Sequence, residues 1–120
     1  MFIEKKQVGE KQLLKWTGVD INTYPQPELL GVTKQVLIPD ATYSSGFEVR
    51  YYHFGVGSTG DKARHDKEYC LFILHGNATI VVNETAHVLT QYDVAYISPN
   101  ELIQILPRGN EPLGFLCITK

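Results

Sequence analysis

The chain reads as an all-β protein, a double-sheet jelly roll or small barrel in outline, and three observations predict that class. From Gly31 onward the residues fall into short segments rich in β-branched and aromatic side chains. Clusters of Gly, Pro, Asn, Asp and Ser cut those segments, and these residues accept turn dihedrals or hydrogen-bond their own backbone. Eight such segments at this spacing suit two sheets that hide their edges by near-closure.

Taken in order, residues 1–30 read as an N-terminal arm that packs on the barrel or on a partner subunit, and 31–120 as the barrel. Within the arm, Glu10–Trp16 suits a short helix or strand, and Tyr24-Pro25-Gln26-Pro27 is extended or turn-like. The first barrel strand is Val32–Ile38, stopped by Pro39-Asp40. Phe47–Phe54 follows, with Phe47, Val49 and Tyr51 on one face and Glu48, Arg50 and Tyr52 on the other. Either face fits an interior, so Arg50 is ambiguous from alternation alone. After the turn-rich run 55–60 come Tyr69–Leu74, Ala78–Val82, and, past Asn83-Glu84, His87–Leu89. Val94–Ile97 ends at Ser98-Pro99-Asn100, and Leu102–Leu106 ends at Pro107-Arg108-Gly109-Asn110. The final strand, Leu113–Thr119, is apolar on both faces from Phe115 on, which suits a central strand or one covered on both sides.

A length of 120 residues suits one domain, and a catalytic domain joined to a separate binding domain is not expected in it. Hydrophobic residues at 43% and charged residues at 20% describe a globular chain, neither disordered nor membrane-spanning. Eleven Lys and Arg against thirteen Asp and Glu leave a net charge of -2, no footprint for nucleic acid or an anionic membrane. No stretch approaches the roughly 18 apolar residues of a membrane helix. Cys70 and Cys117 sit in apolar runs and read as buried thiols of a reducing compartment. With no signal peptide at Met1–Lys6, the cytoplasm is the expected location.

Asp61–Gly76, with His65 in a turn ahead of the apolar run Tyr69–Leu74, resembles the first signature of the cupin superfamily. Tyr92–Gln104, an aspartate turn, a strand, a proline turn and a further strand, resembles the second. The resemblance spans about Val36 to Ile118 and implies a cupin-like double-stranded β-helix with a short N-terminal arm. It places the family's four metal-ligand positions on Ala63, His65, Tyr69 and Ile103, so one histidine remains and the usual metal site is expected to be absent. Glu68 is one residue out of register and expected to point to the other face. A site rebuilt through His65 with Glu68 or Cys70 is the remaining route to a divalent metal. His53, His75 and His87 lie on or beside different strands, and their sequence positions do not bring them together.

The same mapping places Arg50, His65, Tyr69, Ile103, Ile105, Phe115, Cys117 and Thr119 on the inward face, an apolar lining with a few polar groups. It implies a small organic molecule as partner, with His65 as general base, Tyr69 as acid and Arg50 as anchor for an anion or a developing enolate. Each residue also has a plainer role. His65 suits a turn facing water, Tyr69 a packed aromatic with a wet tip, and Arg50 a partner of Glu48. Three functions follow: metal-independent acid–base catalysis (isomerase, epimerase, cyclase or lyase), a non-catalytic ligand-binding or regulatory module, and a metal-dependent dioxygenase or decarboxylase with unusual ligands. A homodimer is expected, because apolar edge strands gain from pairing.

Overall fold

The computed structural model describes residues 6–8, 14–25, 29, 31–39 and 46–120. Their regular structure is almost entirely β, in eleven strands. The arm carries β1 (Lys6–Val8), β2 (Leu14–Trp16) and β3 (Asn22–Thr23). The barrel follows with β4 (Val32–Ile38), β5 (Glu48–Phe54), β6 (Tyr69–His75) and β7 (Asn77–Val82). It ends with β8 (Thr85–Leu89), β9 (Val94–Ile97), β10 (Ile103–Arg108) and β11 (Leu113–Thr119). A six-stranded antiparallel sheet in the order β3-β4-β5-β11-β6-β9 faces a three-stranded sheet in the order β10-β7-β8, and β1 pairs with β2 apart from both.

Alternation builds the core. Leu71 and Ile73 of β6, Ala78 and Ile80 of β7, Ile97, Ile103, Leu113 and Phe115 are each at most 4% exposed and form one cluster with Val32 and Phe54. Each large apolar side chain so buried contributes about 1.5–3 kcal/mol of transfer free energy. β11 lies between β5 and β6 and so is a central strand, with Phe115 of its inner face buried and Ile118 of its outer face 39% exposed. Asn83 and Glu84 both take positive φ, 47° and 72°, as a two-residue turn joining twisted strands requires.

Gly76 alone separates β6 from β7 and carries the chain from one sheet to the other. Its φ is +75°, and a Cβ there would overlap the Pro112 carbonyl, so glycine is needed on two counts.

Some boundaries differ from the sequence expectation. β10 runs through Pro107 and Arg108, which the turn chemistry had assigned to a loop. β10 is an edge strand, where a residue without an N–H is tolerated, and Pro107 lies opposite Ala78. β8 begins at Thr85, ahead of His87, because the tight turn starts pairing at Val82↔Thr85. Phe47 falls just outside β5. In the arm, 14–16 is a strand, while residues 10–13, Gln26, Pro27 and Asp40 lie outside the described residues. The arm is tied to the barrel: β3 pairs with β4, and the buried Gln35 amide donates to the Trp16 and Val19 carbonyls and accepts from the Trp16 N–H. Among the described residues, no helix is long and apolar enough to cross a membrane.

Candidate functional site

The inner face of the six-stranded sheet opens into a cavity of about 350 Å³. Strand parity explains its lining. β5 contributes Glu48, Arg50, Tyr52 and Phe54, and β11 contributes Phe115, Cys117 and Thr119. Register then aligns them, with Phe115 opposite Tyr52, Cys117 opposite Arg50, and Thr119 between Glu48 and Tyr69. β10 adds Ile103 and Ile105 from the facing sheet, and His65 comes from the turn before β6. All eight residues that the resemblance placed inward therefore line one space. Glu48, Tyr52 and Phe54 share the parity of Arg50 and become legible once that face is known to be inner. Tyr24 and Leu29, from the arm, also line it, and no local pattern announces them.

The polar groups are arranged as follows. Arg50 Nε donates to Glu48 Oε1 at 2.9 Å and Nη2 donates to Oε2 at 3.3 Å, a two-point ion pair. Arg50 Nη1 donates to the Tyr52 hydroxyl at 3.4 Å, and Tyr52 is hydrogen-bonded to Tyr24. Burial and the Tyr52 hydroxyl push the Tyr24 phenol up to about 12. Tyr69 is raised above the usual phenol range by burial, with the Cys117 thiol adding to it. Burial likewise pushes Cys117 up to about 11, so it is a poor nucleophile near neutral pH. Thr119 donates its hydroxyl to the Glu68 carbonyl at 3.1 Å. His65 is exposed at the rim, and its ring meets that of Tyr69 edge-on, with centroids 5.8 Å apart and planes at 79°.

The four positions that the fold would use for a metal do not fit one. Ala63 and Ile103 bridge each other through their backbones and offer only aliphatic side chains. That leaves one imidazole and a phenol that burial keeps protonated, too few donors for a divalent ion. Glu68 accepts a hydrogen bond from the Tyr96 hydroxyl at 2.5 Å and pairs with Lys120 at 3.2 Å, facing away from the cavity. Cys70 lies in register with Tyr96 and Ile118 on that same outer face, so neither is beside His65. Among the described residues no three His, Cys, Asp or Glu side chains gather as a metal-holding group.

Two histidines do approach each other, on the opposite side of the sheet. The His53 and His75 rings are 6.1 Å apart. The His75 Nε2 and the Tyr51 hydroxyl are hydrogen-bonded at 2.7 Å, and His75 Nδ1 lies 3.2 Å from the Pro112 carbonyl. Trp16 covers Tyr51 at a ring distance of 4.8 Å. His87 is exposed on β8.

No protein-family model matches the chain. Over 107 residues it is 29% identical to the 1-methylthio-D-xylulose 5-phosphate methylsulfurylase of Rhodospirillum rubrum, spanning 87% of this chain and 67% of that protein. Among solved structures it is similar to a cupin-2 domain from Rhodospirillum rubrum, with a TM-score of 0.80 and 29% identity over 88% of this chain and 72% of the other. A cupin 2 domain-containing protein from Halorhodospira halophila aligns with a TM-score of 0.70 and 27% identity, covering 100% of this chain and 79% of its own.

Proposed function

We propose that this chain, a member of the cupin superfamily, binds a small organic molecule in its inner cavity and performs metal-independent acid–base chemistry on it. The observation that carries this reading is the edge-on pair of His65 and Tyr69, 5.8 Å apart, beside a cavity of about 350 Å³. A cavity of that size is in the range that small-molecule sites occupy.

In this mechanism His65, at the wet rim, removes a proton from a carbon next to a carbonyl. The C–H electron pair moves into a C–C double bond as the carbonyl oxygen takes the proton of Tyr69, giving an enol and a tyrosinate. Burial keeps Tyr69 a donor throughout the neutral range. Return of the proton from His65 to the same carbon, with Tyr69 recovering its own from the enol oxygen, completes an epimerase-type cycle. With an α-hydroxyketone, return to the former carbonyl carbon, with the tyrosinate taking the proton of the neighbouring hydroxyl, completes an isomerase-type one. Loss of a β-leaving group instead gives a lyase. The relative's name points to a xylulose 5-phosphate derivative; its ketose carbonyl supports carbonyl chemistry as the starting point, while its phosphate is not carried over to this chain.

The test is proton exchange. Ketoses, hydroxyketones and aryl ketones are incubated with the protein in D2O, and loss of α-proton signals is followed by NMR. We expect exchange to fall about 100-fold or more in His65→Ala, in line with a lost general base, while ligand binding changes little. A wild-type protein that binds these carbonyl compounds without exchanging their protons would reduce the site to a binding module.

A further inference from the structure

We infer that Glu48 sets the ligand class of the cavity: by closing on Arg50 it makes the site select an uncharged, planar, carbonyl-bearing ring over the matching anion. The inference rests on the reading of this cavity as the ligand site and concerns what enters it, whatever chemistry follows.

Arg50 alone would mark an anion site. Among the described residues three of its five N–H groups are used, two on the Glu48 carboxylate and one on Tyr52. The pair is half-buried, with side chains 32% and 21% exposed, so its mutual attraction is only partly screened. A carboxylate or phosphate entering the cavity must displace Glu48 or lie beside it, and either is unfavourable. The remaining lining charges do not restore a positive field. Lys67 and Lys120 are matched by Asp61 and Asp66, and Lys120 is itself paired with Glu68. A neutral carbonyl has no such conflict and can accept from the two N–H groups that no described residue takes up.

The walls suit a flat ring. Tyr52 and Phe115 stack at 5.4 Å with planes 19° apart, and Phe54 leans on Phe115 at 5.6 Å. Ile103 and Ile105 close the opposite side. Ring faces pack on such surfaces by offset stacking and apolar contact.

The test uses one ring with two kinds of head group. Acetophenone and benzamide are neutral, benzoate is its anionic counterpart, and inorganic phosphate is an anion without a ring. Affinities are measured by ligand-observed NMR titration at pH 7.5. We expect wild-type protein to bind the neutral pair at least 10-fold more tightly than benzoate, with no measurable phosphate binding. Glu48→Gln should raise benzoate affinity about 10-fold and leave acetophenone within 3-fold. A Glu48→Gln/Arg50→Gln double variant, which removes both charges, should restore the neutral preference and guards against misfolding of the single variant. Wild-type preference for benzoate or phosphate, a ratio unmoved by Glu48→Gln, or binding of none of the four probes overturns the assignment. A bound ketone that undergoes no proton exchange, by contrast, removes only the catalytic reading.

Discussion

The two faces of the six-stranded sheet are built from alternate residues of the same strands and have been put to opposite uses. On β5, Glu48, Arg50 and Tyr52 point into the cavity, while Tyr51 and His53 point the other way. Most of the outer polar groups are consumed by the chain itself: Tyr51 is 2% exposed and bonded to His75, Gln35 holds the arm, and Gly114 leaves room for both rings. The inner groups satisfy one another in part and still face open space. A polar residue on a sheet therefore says little about function until the occupant of its face is known. Where the arm covers the sheet, polarity specifies structure; where the sheets part, it is available to a ligand.

The sharpest way to break this contrast is Gly114→Ala. A Cβ there would overlap the His75 ring and the Tyr51 hydroxyl, and Tyr51 is buried under Trp16 with little freedom to move. We expect a loss of about 3 kcal/mol in unfolding free energy by denaturant titration, from overpacking together with the broken hydrogen bond. An alanine accepted without loss would show that the outer cluster is not close-packed.

A matched pair of substitutions sharpens it. Tyr51→Phe strands the His75 nitrogen and should cost about 1.5 kcal/mol. Tyr69→Phe, on the inner face, should cost less than about 0.5 kcal/mol while impairing proton exchange. Equal costs on the two faces would erase the distinction.

The smallest effect is a dependence on pH. Among the described residues His53 Nε2 is buried without a hydrogen-bond partner, and burial, aided by His75, holds this imidazole below its ordinary value of 6.5. Above 6.5 it is neutral in both folded and unfolded chains. Below 6.5 the unfolded chain takes the proton first, so stability falls with pH until the lowered folded value is passed. Calorimetry from about pH 8 to about pH 5 should show that decline, and His53→Phe should flatten it.

Much of the barrel was legible because each strand carries its own period and each turn its own chemistry. Val32–Ile38, Val94–Ile97 and Leu113–Thr119 match the observed strands end to end. Pro107 misled because its cost depends on whether a strand is an edge, which is a property of the sheet and not of the residue. The eight inward residues were legible through the resemblance to the cupin superfamily, whereas the state of Arg50 was not: pairing with Glu48 and anchoring a ligand demand the same alternation. Tyr24 was out of reach altogether, since its place in the cavity wall depends on how the arm lies across the barrel. The approach of His53 to His75 depends likewise on β11 separating their strands.

That intervening strand has a consequence for how the molecule is made. β11 comes latest in sequence among the strands of its sheet yet sits between β5 and β6, bonded to both. A chain emerging from the ribosome up to residue 112 would hold β4–β5 and β6–β9 as two separate flaps with their inner edges unpaired. Synthesis through Thr119 must precede closure of the sheet, and until then those two edges are the places where a nascent chain is open to chaperones and to wrong partners.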